Sequence, residues 1–130
     1  MRGGSHTRSR ISSTLNQLNS DDPIYRWVCV AAQQAAEKAF KASLIKAQIE
    51  FPRIHDLEGL QQLLPAESQL RGIGVDLASL TEWSIAGRYP ADAREADCQD
   101  AEQAVRDARA VVDVVAAMFA RAPEGEAAEE

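Results

Sequence analysis

A chain of 130 residues, 45% hydrophobic and 26% charged, has room for one domain. It can bury roughly two thirds of the surface its unfolded form exposes, enough for a core that needs neither metal nor disulfide. The formal net charge of −6, to which Glu124, Glu126, Glu129 and Glu130 contribute, removes any global electrostatic case for binding duplex nucleic acid and leaves room only for a local basic pocket. No apolar run approaches the ~20 residues of a membrane span. The first six residues lack the apolar stretch of a secretory signal, so the cytoplasm is the expected location.

In chain order, residues 1–10 are polar and glycine-containing, and read as a disordered leader or an expression remnant. Ile11, Leu15 and Leu18 recur at helical spacing and predict a short helix over 10–19. Asn19-Ser20-Asp21-Asp22-Pro23 then interrupts, with Asp22 placed to cap and Pro23 at a first helical position.

Residues 24–48 form the strongest helical pattern. Ile24, Trp27, Val28, Ala31, Ala35 and Ala39 make one apolar stripe; Cys29, Ala32, Ala36 and Phe40 make a second beside it. So wide an apolar arc predicts a central helix contacted on more than one side. Glu37 and Lys41 stand four apart in the favourable order. Phe51-Pro52 ends the stretch, because the residue before proline is driven out of the helical region.

Asp56 is placed to cap a third helix over 57–64, with Leu57, Leu60, Leu63 and Leu64 inward and Pro65 closing it. A fourth helix over 66–86 carries Leu70, Ile73, Leu77, Leu80 and Ser84 on one face, weakened in its first half by Gly72 and Gly74. Gly87-Arg88-Tyr89-Pro90 breaks the chain, and Asp92-Ala93-Arg94-Glu95 has capping-box spacing. A last helix over 92–121 follows, its apolar stripe Ala101, Ala104, Val105, Ala108, Val112, Val115 and Phe119, its opposite face Glu102, Arg106, Arg109 and Asp113. Residues 122–130 have nothing to bury and read as a disordered acidic tail.

No strand-length stretch alternates at period two. The expectation is therefore one all-α domain over 11–121, an up-and-down bundle of four to five helices. Cys29 and Cys98 read as small reduced core residues, and a disulfide between them stays open until distances are known.

Metal-ligand spacings are missing: there are two histidines, His6 and His55, and no His-x-x-x-His, Cys-x-x-Cys or Glu-x-x-His pair. Gly72-Ile73-Gly74 has no preceding strand and no following Lys-Ser/Thr, and no serine has a nucleophile-elbow context. No catalytic residue, metal site or cofactor is assigned. His55 is the one histidine in an informative setting, two residues after Arg53 and next to the cap Asp56. Either it packs the loop while Asp56 merely caps, or Arg53 and His55 line an anion site at the helix entrance. Arg88-Tyr89-Pro90 likewise reads either as a helix stop or as an arginine–aromatic pair able to grip phosphate and stack on a base. Lys38 and Lys41 could add charge.

Taken together, the order Ala32-Gln33-Gln34-Ala35-Ala36-Glu37-Lys38-Ala39, then Pro52-Arg53-Ile54-His55-Asp56-Leu57, then Leu80-Thr81-Glu82-Trp83, then Arg88-Tyr89-Pro90, then Ala101, Ala104 and Ala108, resembles the HEPN domain family (higher eukaryotes and prokaryotes nucleotide-binding) from about residue 23 to 118. The resemblance implies a helical bundle, a homodimer, nucleotide or RNA binding, and often a minimal nucleotidyltransferase partner in a toxin–antitoxin-like pair. Many such proteins are metal-independent ribonucleases carrying an arginine and a histidine separated by four to six residues on the last helices. This chain departs from that pattern: Arg106, Arg109 and Arg121 are followed by no histidine.

The resulting expectation is a non-catalytic module that binds a nucleotide or phosphate-bearing ligand through Gln34, Lys38, Arg53, His55, Asp56, Arg88 and Tyr89. In that reading Arg53 and Arg88 hold phosphate, Tyr89 stacks, and His55 with Asp56 orders the loop. The alternatives are a ribonuclease toxin with a non-standard site, and a purely protein-binding partner of a nucleotidyltransferase.

Overall fold

Two long helices running side by side carry the domain. The computed structural model describes residues 23–84 and 95–129, with side chains for 24–84 and 95–121. The expected helix over 10–19, Arg88-Tyr89-Pro90 and Asp92 lie outside the described residues. Helix α1, Pro23–Lys46, buries Tyr25, Cys29, Ala32, Ala36, Phe40 and Leu44, one residue per helical turn along a single line. Against it lies the last helix, Cys98–Glu129, which buries Ala101, Ala104, Ala108, Val111 and Val115. The alanines on both sides let the two axes approach closely.

The two long helices point the same way. Val28 to Ala35 lies beside Val105 to Asp113, and further along Lys46 Nζ sits 5.3 Å from the Phe119 ring centre. The chain must therefore return between them, and it does so through short elements: α2 (Leu57–Gln62), a 3-10 turn (Gln69–Gly72) and α3 (Leu77–Thr81). With these labels the last helix is α4. Leu57, Leu60, Leu64, Leu70, Leu77, Leu80 and Trp83 from the return segment complete the core. The fold is all-α; the described residues contain four α-helices and no strand. No helix among them is long and apolar enough to cross a membrane.

Caps explain most of the boundaries. Helix α1 stops at Lys46, before Phe51-Pro52 can act, because Gln48 takes a left-handed conformation (φ 61). Ile49 N–H then donates to Leu44 O and Gln48 N–H to Ile45 O, both 2.9 Å, the paired bonds of a Schellman stop. The expected single helix over 66–86 is broken into two pieces. Ser68 caps the 3-10 turn and Asp76 caps α3, accepting from Ser79 N at 3.1 Å and Ser79 Oγ at 2.8 Å. Two capping side chains and two glycines in one stretch offer the backbone better local partners than a continuous helix. Arg71 fixes the same segment by donating to the Gln62 and Leu64 carbonyls at 3.1 and 2.9 Å.

Helix α4 begins at Cys98, not at residue 92. Asp97 accepts from Asp100 N (2.8 Å) and Asp100 reaches back to Asp97 N (3.1 Å), a reciprocal capping box one turn beyond the expected one. Both cysteines are free thiols. Cys29 is buried in the core. Cys98 is half-buried; burial first, then the neighbouring Glu102 and Asp97 carboxylates, raise its pKa.

Three burial expectations are corrected. Of the first α1 stripe, Ile24, Trp27, Ala31 and Ala35 are exposed and only Val28 and Ala39 are half-buried, so α1 is covered on one side by the described residues. Leu63 points outward from the end of α2. On α4 the buried line runs through Val111, leaving Val105, Val112 and Phe119 exposed.

Candidate functional site

The polar centre of the described residues is Glu37, a carboxylate that the sequence reading paired with Lys41 alone. Glu37 lies at the edge of the buried face of α1, with 12% of its side chain accessible. It receives three donors: Lys41 Nζ at 2.8 Å, Gln33 Nε2 at 3.0 Å, and His55 Nδ1 at 3.0 and 3.1 Å to its two oxygens. Burial by itself would raise the Glu37 pKa. The hydrogen bonds from Lys41, Gln33 and His55, with the Lys41 charge, outweigh it and hold the carboxyl below its ordinary value.

Helical spacing makes this possible. Gln33, Glu37 and Lys41 are successive residues four apart on one line of α1. Gln33 is itself buried, and its amide also donates to the His55 carbonyl at 3.3 Å. Glu37 and Gln33 therefore hold the 49–56 connection by both the ring and the backbone of His55. Phe51 adds a third contact, its ring centre 5.8 Å from Lys41 Nζ.

Because an ionised carboxylate only accepts, the His55 proton facing it sits on Nδ1. That leaves Nε2 without a hydrogen bond among the described residues, on a side chain 46% accessible. A carboxylate that fixes the tautomer and direction of an accessible imidazole is a common way to prepare a histidine for hydrogen bonding or proton exchange with a ligand.

The other named residues fall into three groups. Asp56 caps α2, accepting from Glu58 N at 3.2 Å, while Leu57 N donates to Thr81 Oγ1 at 3.0 Å. These bonds occupy the Leu57 and Glu58 N–H groups at the entrance of α2. Arg53, Lys38 and Gln34 are exposed, and Arg53 and Lys38 form no ion pair among the described residues. At 100° per residue, Lys41 and Gln34 lie within about 60° of Glu37 around α1, while Lys38 lies about 100° from it, toward the exposed face. Arg88 and Tyr89 lie outside the described residues. The missed members are Gln33 and Glu37, and the i,i+4 series Gln33/Glu37/Lys41 was the available signal.

The described residues form an all-α bundle whose 49–56 connection holds His55 against a buried carboxylate. The chain belongs to the HEPN domain family, whose model matches residues 9–118. Membership points to a nucleotide-related role. Searches of curated proteins and of solved structures gave no match to this chain.

Proposed function

We propose that this HEPN domain binds a nucleotide or another phosphate-bearing ligand beside His55 and is not itself a catalyst. The observation that carries the reading is the Glu37–His55 pairing, which spends a buried carboxylate on fixing an accessible imidazole. Arg53 and Lys38 supply cations that no carboxylate neutralises among the described residues, and phosphate is the group such unpaired cations suit. Gln34 and Asp56 complete the described part of the site, and Arg88 and Tyr89 are assigned to phosphate and base. The reading extends to a homodimer and to a minimal nucleotidyltransferase as protein partner in a toxin–antitoxin-like pair.

The test is thermal unfolding with a panel of nucleotides. A ligand at a hundredfold excess over its dissociation constant stabilises by ~2.7 kcal/mol, a rise in Tm on the order of 10 °C for a domain of this size. Arg88→Ala should abolish that rise. No shift with any nucleotide up to millimolar concentration would sink the proposal.

The same dyad gives a ribonuclease reading its specific support, because an oriented histidine is the general acid–base that metal-independent RNA cleavage requires. Cleavage of mixed RNA that survives EDTA and disappears in His55→Ala would replace the binding reading with this one. Co-purification with the product of a neighbouring gene would support the nucleotidyltransferase partnership.

A further inference from the structure

The Glu37–His55 pair decides which way a hydrogen bond at the other ring nitrogen can run. Both Glu37 carboxylate oxygens lie within reach of His55 Nδ1, at 3.1 and 3.0 Å. An ionised carboxylate has no proton to give, so Nδ1 carries one. The Lys41 ammonium, 2.8 Å from the same carboxylate, already supplies its counter-charge, and the ring completes the cluster as a neutral group. A neutral imidazole protonated on Nδ1 has a bare lone pair on Nε2 and can only accept there. Nε2 has no hydrogen bond among the described residues, and His55 is exposed.

That acceptor is held in place from both sides. Gln33 Nε2 donates to the His55 carbonyl at 3.3 Å, so α1 grips the backbone of this residue as well as its ring. Just before it, Ile54 N–H donates to Pro52 O at 2.9 Å and closes a tight turn about Arg53. Ile54 itself packs on the core, so near α2 that a Cβ added at Gly59 would fall 3.1 Å from its Cδ1. An acceptor fixed in advance loses little freedom when a donor arrives, and a single hydrogen bond can then be selective.

We propose that His55 Nε2 reads the nucleoside part of the ligand, accepting a hydrogen bond from a sugar hydroxyl or a base N–H, while the phosphate lies with Arg53. The inference rests on the nucleotide-binding reading above and divides that site in two. Phosphate oxygens are acceptors, and against a bare Nε2 they would meet lone pair to lone pair. The adjacent Asp56 carboxylate, which caps α2, would repel a phosphate there as well. Arg53 has only donors to offer and is exposed without an ion pair among the described residues. The ligand class is therefore a nucleotide that brings a donor to His55, and a bare polyphosphate is not read by this residue.

The test has two parts, both on the full chain. In a His6→Gln background His55 is the one histidine. Long-range proton–nitrogen NMR correlation at about pH 8, above the usual imidazole range, should show the ring proton on Nδ1 and a bare Nε2. A proton on Nε2, or the two tautomers in similar amounts, overturns the inference before any ligand is added. In the second part ATP, GTP, CTP and UTP are ranked by calorimetry. The tightest is then compared with its 2′-deoxy and 3′-deoxy forms, with an analogue whose base lacks the N–H donors, and with inorganic triphosphate. One analogue should bind about three- to tenfold more weakly than its parent, which tells sugar from base. His55→Ala should close that gap to within about twofold. Affinity for inorganic triphosphate should fall in Arg53→Ala and stay unchanged in His55→Ala. Analogues that all bind as tightly as the parent, a gap that survives His55→Ala, or triphosphate binding lost with His55 each overturn the inference and leave nucleotide binding standing. No binding of any of the four nucleotides sinks the proposed function and this inference together.

Discussion

The two edges of α1 solve opposite problems. Along one, Gln33, Glu37 and Lys41 satisfy each other and hold the His55 loop, so almost every polar group there has a partner. Along the other, Ile24, Trp27, Ala31 and Ala35 are apolar and exposed to solvent. The first edge gains from hydrogen bonds in a partly dry setting, where an unsatisfied group is costly. The second has apolar area in hand, worth roughly 25 cal/mol per Å² once it is covered. Among the described residues, one edge of the helix is finished by its partners and the other is left exposed.

The largest expected effect breaks the finished edge. Glu37→Leu strips the buried Gln33 amide and the His55 ring of their shared acceptor, and should cost about 2–4 kcal/mol in urea unfolding. Its pH dependence identifies the cause. The Glu37 carboxyl titrates lower in the folded state than in the unfolded chain, so the folded state binds fewer protons. The stabilisation is complete above the unfolded value of about 4.3 and is lost as pH falls through the folded value. The stability gap between the wild type and Glu37→Gln should therefore narrow below about pH 4. A gap that stays constant down to pH 3 would show that packing, not charge, sets the cost.

The next effect compares the two edges. Gln33→Ala, on the finished edge, removes the amide's bonds to Glu37 and to the His55 carbonyl and should cost about 1–3 kcal/mol in urea unfolding. Ala35→Ser, on the exposed edge, should fall within about 0.5 kcal/mol of wild type. Equal effects of the two would erase the distinction between the edges.

The contrast also explains what could be read from sequence. Apolar periodicity found the long helices, and the cap Asp56 and the Glu37–Lys41 pair could be read directly, because each depends on neighbours within one turn. Which apolar stripe is buried could not be read. The Cys29–Phe40 and Ile24–Ala39 lines are equally apolar, and only the placement of α4 decides between them. The hold of Glu37 on His55 could not be read for a related reason: the two are eighteen residues apart, and local spacing does not report such a contact. The stop at Gln48 was hidden because the left-handed position carries glutamine where glycine is the usual signal.

That stop gives a smaller prediction at the end both edges share. A left-handed residue with a side chain is strained, and glycine is not. Gln48→Gly should therefore stabilise by roughly 0.5–1 kcal/mol, with a matching rise in Tm and no change in the His55 cluster.

The smallest effect on stability is the sharpest on function. Arg53 is exposed in the loop that the finished edge holds, Lys38 is exposed on the outer face of α1, and neither forms an ion pair among the described residues. Replacing either by alanine should move stability by no more than about 0.5 kcal/mol. If the edge is finished in order to present His55 to a phosphate-bearing ligand, Arg53→Ala should nonetheless weaken nucleotide-dependent stabilisation by tenfold or more in ligand concentration, with Lys38→Ala weaker than that. A charge used only for solubility would leave both titrations on the wild-type curve. The two readings of this edge, a loop clamp alone or a loop clamp that serves a ligand, separate on that measurement, because the clamp residues Gln33, Glu37 and His55 are untouched in both variants.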